Sequence, residues 1–272
     1  MKAFAIKDAE RSASETFGYL LYYKTERAFF IELPADADPW ATPLILSSFA
    51  KRGQYTIDDY WSRLWVRQRI VPTDRQNLGQ ILKANGLKAY DEYALLMLDK
   101  GRCAQDSYYL QAIKEEDIPS DIQKRWDKKV EEVLPCAQGG LILFFKNGAA
   151  KRYEAPFLLE KEPHLAAILR NDALFQAVAL LPGGYGISWG ERLSLLGEDL
   201  YDHGADVPLA LEDLKAFVKH RLVNAAQAQA LLGYTRQYIN ELARSGLLHP
   251  IREDAKNTLY LKSEVLQRGR AY

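Results

Sequence analysis

Residues 224–246, which read NAAQAQALLGYTRQYINELARSG, decide the fold of the last part of the chain. Asn224 is predicted to cap a first helix over residues 225–232, because its side-chain oxygen can accept a free first-turn amide hydrogen. Gly233 permits a tight turn, Thr235 is predicted to cap a second helix over residues 236–245, and Gly246 ends it. Two short helices with a short glycine-containing turn are typical of a helix-turn-helix.

The two predicted helices divide their residues between a core and a contact surface. Apolar residues recur at helical spacing, and we expect a shared core of Ala228, Leu231, Leu232, Ile239 and Leu242. The second helix is predicted to expose Thr235, Arg236, Gln237, Asn240 and Arg244. Arginine pairs with guanine edges, glutamine and asparagine pair with adenine, and threonine can reach a phosphate. This pattern predicts contact with double-stranded DNA.

A hairpin is predicted after the second helix. Its strands are residues 250–252 and 258–261, and the residues expected near its tip are Arg252, Lys256 and Asn257. Ser263 is predicted to cap a last short helix over residues 264–268. This arrangement adds a wing to the helix-turn-helix.

The string G-Y-T-R-Q-Y-I-N-x-L-x-R-x-G-L-L-x-P-I (233–251), followed by L-Y-L-K-S-E-V (259–265), resembles the winged helix-turn-helix of the MerR and excisionase-like group. The resemblance covers residues 222–267. It implies that Arg236, Gln237, Tyr238 and Asn240 lie in the major groove and that the wing contacts the DNA backbone. MerR regulators carry this module at the N-terminus, before a dimerisation helix, whereas here it follows about 220 residues.

The charge is distributed unevenly along the 272 residues. Lysine plus arginine number 36 and so do aspartate plus glutamate, so the net charge is zero. Residues 221–272 hold eight basic and four acidic residues, a difference of +4, which leaves −4 for the first 220. A balanced total therefore does not exclude a nucleic-acid partner.

The pattern of the first 220 residues predicts two further domains. Aromatic-rich runs at 17–23 and 28–33 predict a hairpin, and helical spacing follows at 44–49, 57–69, 74–84 and 90–98. Runs at 140–145 and 149–153 around Asn147-Gly148 predict a second hairpin, with strands at 175–181 and 185–189. We therefore predict an α+β protein with an N-terminal α+β domain (1–125), a small β-rich domain (126–206) and the winged helix-turn-helix (207–272).

Two further resemblances concern these front domains. The strings E-V-L-P (132–135), F-x-N-G (145–148), G-G-Y-G-I-S-W (183–189) and D-L-Y-x-x-G (199–204) resemble a small bacterial domain family of unknown function, which implies a β-rich fold. W-x-x-x-R (65–69), P-x-x-R (72–75) and G-R-C-A-Q-D-S-Y-Y (101–109) resemble a region attached to HipA-type toxin kinases. That resemblance implies a toxin–antitoxin or mobile-element context, although the kinase motifs themselves are absent.

Three further groups of residues are weaker candidates for a functional site. Arg63, Arg67 and Arg75 could form an anion surface, or could pair with Asp58, Asp59, Asp74 and Asp91 while Trp61 and Trp65 form a core face. His203 beside Asp199 and Asp202 could bind a metal, but a solvated helix end is the favoured interpretation. Cys103 and Cys136 are expected to be reduced, buried thiols. We expect no catalytic residue, metal or cofactor, no secretory signal or membrane helix, and a cytoplasmic location.

The sequence thus predicts a sequence-specific DNA-binding transcriptional regulator that is not an enzyme. Its front domains would serve dimerisation or partner contact, and a homodimer is expected because helix-turn-helix readers bind paired half-sites. The alternative is an antitoxin-like adaptor that binds a partner protein through residues 1–206.

Overall fold

The computed structural model describes residues 1–40, 42–190, 193–253 and 257–270. They form two compact units, of which the first is Met1–Asn147 with Lys151–Ala205 and the second is Gly148–Ala150 with Asp206–Tyr272. Helices and antiparallel sheets occur together, so the predicted α+β class is confirmed. None of the helices in the described ranges is long and apolar enough to cross a membrane.

The strands are β1 (Lys2–Asp8), β2 (Gly18–Tyr23), β3 (Ala28–Glu32), β4 (Thr56–Ile57), β5 (Tyr108–Ile113), β6 (Val130–Pro135), β7 (Leu141–Phe145), β8 (Ala150–Tyr153), β9 (Ala179–Leu180), β10 (Gly186–Trp189), β11 (Leu193–Leu196), β12 (Ala205–Val207), β13 (Leu222–Asn224), β14 (Pro250–Arg252) and β15 (Leu259–Leu261). The α-helices are α1 (Leu44–Lys51), α2 (Asp59–Arg67), α3 (Leu78–Ala84), α4 (Glu92–Leu98), α5 (Ser120–Trp126), α6 (Ala155–Lys161), α7 (Leu165–Leu169), α8 (Asp172–Gln176), α9 (Gly197–His203), α10 (Leu211–Arg221), α11 (Ala225–Leu232), α12 (Arg236–Arg244) and α13 (Lys262–Arg270).

The first unit is built on a five-stranded sheet in the order β4-β3-β2-β1-β5. β2 and β3 form the predicted aromatic hairpin, with Tyr19 opposite Glu32. Successive side chains of a strand point to opposite faces. Leu20 and Ile31 therefore pack with Trp65 in one core, while alternate residues of the same strands belong to a second core. Burial on both faces explains why these strands read as nearly continuous apolar runs.

The second core joins the first 125 residues to those that follow. Leu21 and Phe30 of the sheet pack in it with Ile122, Trp126 and Tyr185, and the rings of Phe30 and Tyr185 stack 4.0 Å apart. Side chains from both predicted front domains thus share one core inside the first unit. The domain boundary at residue 125 stays a prediction.

The predicted hairpin at Asn147-Gly148 forms between β7 and β8, with a different turn. Four residues, 146–149, connect the strands, and only Gly148 of the pair has a positive φ, +85°. A four-residue connection does not need positive φ at both central positions, as a two-residue turn would. The Asn147 amide Nδ2 instead donates to the Tyr201 hydroxyl at 2.7 Å.

The predicted strand over residues 175–181 is wrong in its first half. Asn171 Oδ1 accepts from the Leu174 amide at 3.3 Å and so caps α8, which places Phe175 in a helix. Only Ala179–Leu180 pairs as β9, in a sheet of order β11-β10-β9. The Gly183-Gly184 segment links β9 to β10 as a tight turn.

Candidate nucleic-acid interface

The helix-turn-helix of the second unit forms within one residue of its predicted bounds. Asn224 Oδ1 accepts from the Gln227 amide at 2.9 Å, and Gln227 Oε1 accepts from the Asn224 amide at 3.0 Å, so two first-turn donors are satisfied. Gly233 ends α11 with φ of +71°. Thr235 Oγ1 accepts from the Tyr238 amide at 3.3 Å and caps α12. These local contacts set where the second helix begins.

A small apolar core holds α12 in place. Its buried members are Val223, Ala225, Ala228, Ile239, Leu242, Leu248, Tyr260 and Val265. Leu232 is partly buried against it, whereas Leu231 is 40% exposed and was wrongly expected in this core. α11 contacts α12, α13, β13 and β15. Both predicted helices therefore share one core.

The sheet of this unit has three strands, in the order β13-β15-β14. The strand β13, in which Val223 pairs with Tyr260, is not among the predicted elements. A three-residue strand that leads directly into a helix leaves almost no periodic signal, and Leu222-Val223 before the cap was the only available hint. β13 anchors the wing strand β15 beside the start of α11.

Four of the predicted contact residues share the exposed face of α12. Arg236, Gln237, Asn240 and Arg244 are all exposed, whereas Ile239 and Leu242 are buried. Since each residue advances about 100° around a helix, those four fall within an arc of about 100° opposite the core. Thr235 is exposed at the N-terminal end of α12, and the exposed Glu241 lies at the edge of the arc. The arc is thus polar, with two arginines and two amide side chains.

Tyr238 is placed differently from the other predicted contact residues. It is half-buried and packs against the core of the unit, with its ring 5.0 Å from that of Tyr234 in an edge-on arrangement. Its helical position lies on the core side of the exposed arc. The resemblance implied that Tyr238 lies in the major groove together with Arg236, Gln237 and Asn240. Its packing against the core sets it apart from those three exposed residues.

The predicted wing is present as the antiparallel pair β14 and β15, with a register shift between Pro250 and Arg252. Arg252 and Asn257 are both exposed, while Lys256 lies outside the described residues. Glu264 ties the base of the wing to α13, because its Oε1 accepts from the His249 amide at 3.0 Å and lies 2.8 Å from His249 Nδ1.

The arginines of the first unit are mostly paired. Arg63 contacts Asp59 at 2.9 Å and also bonds Glu92, and Arg67 reaches Glu92 at 2.6 Å. Arg75 bonds Asn77. The expected pairing holds for Asp59, whereas Asp58 caps α2 and the partner Glu92 was missed. Trp65 is fully buried, but Trp61 is 39% exposed, so the pair is not one core face.

The structure gives little support to a site at His203 or at the two cysteines. Among the described residues no group of three His, Cys, Asp or Glu side chains is placed to hold a metal ion. His203 Nδ1 lies 2.7 Å from the Asp199 carbonyl oxygen at the end of its own helix. Cys103 and Cys136 are free thiols, as expected, but half-buried rather than fully buried.

No protein-family model, no curated protein and no solved structure matches the chain.

Proposed function

We propose that this protein is a sequence-specific DNA-binding transcriptional regulator that reads the major groove with α12. The exposed arc of Arg236, Gln237, Asn240 and Arg244 on a capped helix-turn-helix carries the proposal. An α-helix fits the major groove of B-DNA, where bidentate contacts from arginine, glutamine and asparagine distinguish base pairs. Thr235 and the wing residues Arg252, Lys256 and Asn257 contact the phosphates and set the register.

Tyr238 supports the reader without being a base contact in this proposal. Its packing against Tyr234 and the core holds the end of α12 that carries Arg236 and Gln237 in place. The difference of +4 over residues 221–272 is modest. We therefore expect a modest affinity, which falls as salt rises because each phosphate contact releases counterions.

The proposed DNA contacts are tested by selection from a random duplex pool, followed by fluorescence-polarisation titration of the selected duplex with the full chain. Arg236→Ala and Asn240→Ala are each expected to weaken specific binding by about 5- to 150-fold, equivalent to about 1–3 kcal/mol for a good base contact. Gln229→Ala, at an exposed position on α11, is the matched control and keeps the affinity. Absence of binding at low salt, or equal affinity for all three variants, contradicts the proposal.

The regulator is proposed to act as a homodimer through α10. This helix of 11 residues buries none of its side chains, and Phe217 and Val218 are 49% and 48% exposed. With Leu211 and Leu214 they occupy one helical face. The first turn of α10 is acidic and its last turn basic, so antiparallel pairing with a second copy places opposite charges together. Two readers would then be held for paired half-sites.

The second candidate function is the adaptor that binds a partner protein through residues 1–206. Three large apolar side chains of the first unit favour it, because Trp40, Leu44 and Tyr60 are 85%, 91% and 69% exposed. An adaptor retains its protein partner when Arg236 and Asn240 are both replaced by alanine in the full chain. If that variant loses transcriptional regulation while the partner is still bound, the result favours the regulator.

A further inference from the structure

A cleft of about 250 Å³ in the first unit has a lysine amine among aromatic rings. Tyr23, Trp126 and Lys129 line it, together with the glycines Gly183 and Gly184 of the turn between β9 and β10. The proposed DNA-binding function uses none of these residues. The cleft is large enough for a small organic molecule.

The Lys129 amine is held by three aromatic side chains. Nζ lies 4.1 Å from the centre of the Trp126 ring and 3.9 Å from that of Tyr185, and it donates to the Tyr23 hydroxyl at 3.3 Å. Burial lowers the pKa of Lys129 to about 7, although the Glu32 carboxylate acts in the opposite direction. A far larger fraction of these amines is therefore neutral and nucleophilic at pH 7 than for an ordinary lysine, of which well under 1% is neutral.

The Tyr23 hydroxyl lies beside this amine, where it can relay a proton between the amine and a bound carbonyl oxygen. Burial raises the pKa of Tyr23 well above its usual value, so the phenol keeps its proton. Gly183 packs directly on the Tyr23 ring, where a Cβ would lie only 2.3 Å from Cζ. Only glycine at this position, with φ of +64°, lets the turn cover the phenol and hold it against Lys129.

We propose that the Lys129 amine condenses with a small uncharged aldehyde or ketone in this cleft and holds it as an imine. The amine attacks the carbonyl carbon and the carbonyl electron pair moves to oxygen, while the Tyr23 hydroxyl passes its proton to that oxygen and takes one from the attacking nitrogen. The phenol is therefore never left ionised, and the two amine hydrogens leave with the carbonyl oxygen as water. Hydrolysis reverses the bond, so this is ligand binding. Acidic and basic groups both line the cleft (Glu115, Glu131 and Lys146), which favours an uncharged ligand.

The experiment treats the full chain with propionaldehyde and cyanoborohydride at pH 7 and locates N-propyl groups by peptide mass spectrometry. Lys129 is expected to react at least about tenfold faster than Lys124, an exposed lysine of α5 that serves as the internal control. The rate at Lys129 is expected to level off above about pH 7. Tyr23→Phe is expected to slow Lys129 several-fold and to leave Lys124 unchanged.

Equal rates at Lys129 and Lys124 in the wild-type chain overturn the proposal, as does a Lys129 rate that rises steadily to pH 10. Both readouts use the wild-type protein, so a folding defect in the Tyr23 variant does not affect them. Neither requires DNA, and the result is independent of the proposed regulator function.

Discussion

The buried carboxylate of Glu32 accepts a hydrogen bond from the hydroxyl of Tyr185 at 2.7 Å, across 153 residues of chain. The same carboxylate accepts from Trp126 Nε1 at 2.8 Å and from Thr56 and Arg125 at 3.1 Å each. Glu32 is fully buried, so these donors replace its water. One side chain of β3 thereby fixes α5 and the segment before β10.

Loss of this carboxylate is expected to destabilise the first unit strongly. Glu32→Ala leaves the buried donors of Trp126 and Tyr185 without this acceptor and removes the carboxylate partner of Arg125 that is fully buried, and the expected cost in the free energy of unfolding is about 3–5 kcal/mol. Tyr185→Phe removes a single donor and is expected to cost about 1–3 kcal/mol. Urea unfolding followed by tryptophan fluorescence measures both. The exposed Glu26→Ala is the control, and equal midpoints for Glu26→Ala and Glu32→Ala contradict the prediction.

The turn at Gly183 is expected to tolerate no side chain. Gly183→Ala introduces a positive-φ strain and a clash with Tyr23, whereas Gly86→Ala, with φ of +69° and open space around its Cβ, introduces the strain alone. We expect Gly86→Ala to cost about 1 kcal/mol and Gly183→Ala about 1–3 kcal/mol more. Thermal or urea unfolding of the two variants measures the difference. Equal costs would mean that the Tyr23 ring moves freely away from the turn.

The stability of the first unit is expected to rise with pH because of Lys129. Its pKa is about 7 in the folded chain and ordinarily 10.5, so the unfolded chain binds more protons between these values. The free energy of unfolding therefore increases from about pH 7 to 10, and protonation at lower pH opposes folding. The charged groups that act on Lys129 are Glu32, Glu115 and Lys146, and Tyr23 keeps its proton across this range.

Urea unfolding of wild type and Lys129→Met at several pH values isolates this effect, since other titrating groups cancel in the difference. The wild-type chain is expected to gain stability relative to the variant as pH rises from 7 to 10. A difference that stays constant with pH would show that Lys129 titrates normally in the folded protein.

The proposed dimer predicts a change in mass when the apolar face of α10 is altered. Phe217→Glu combined with Val218→Glu is expected to convert a dimer of 31.0 kDa chains into a monomer, because it buries unpaired charge in the interface. Ala216→Glu, an exposed position on the opposite side of α10, is the control and is expected to leave the dimer intact. Light scattering during gel filtration gives the masses. A monomeric wild-type chain that still binds the selected duplex contradicts the dimer and leaves the proposed DNA binding standing.

Local signals predicted the helix-turn-helix well. The bounds of α11 and α12 follow from Asn224, Gly233 and Thr235, which act on backbone groups within three or four residues of themselves. The exposure of Arg236 and Asn240 follows from the 3.6-residue period alone. The aromatic hairpin of β2 and β3 was predictable for the same reason, because alternation and a short polar connection are properties of neighbouring residues.

Tertiary packing decided what local periodicity leaves open. It packed Tyr238 against the core of the second unit, and it added β13 to the wing sheet through the pairing of Val223 with Tyr260. Glu32, Trp126, Lys129 and Tyr185 come from three separate segments, and no spacing along the chain signals that they meet. The sequence by itself determined where the helices α11 and α12, the turn between them and the exposed polar residues of α12 lie, because caps, turns and helical periodicity are short-range properties. Only the folded structure decided what surrounds the buried Glu32 carboxylate and the Lys129 amine. Desolvation and hydrogen bonding of these groups depend on neighbours that are distant in sequence.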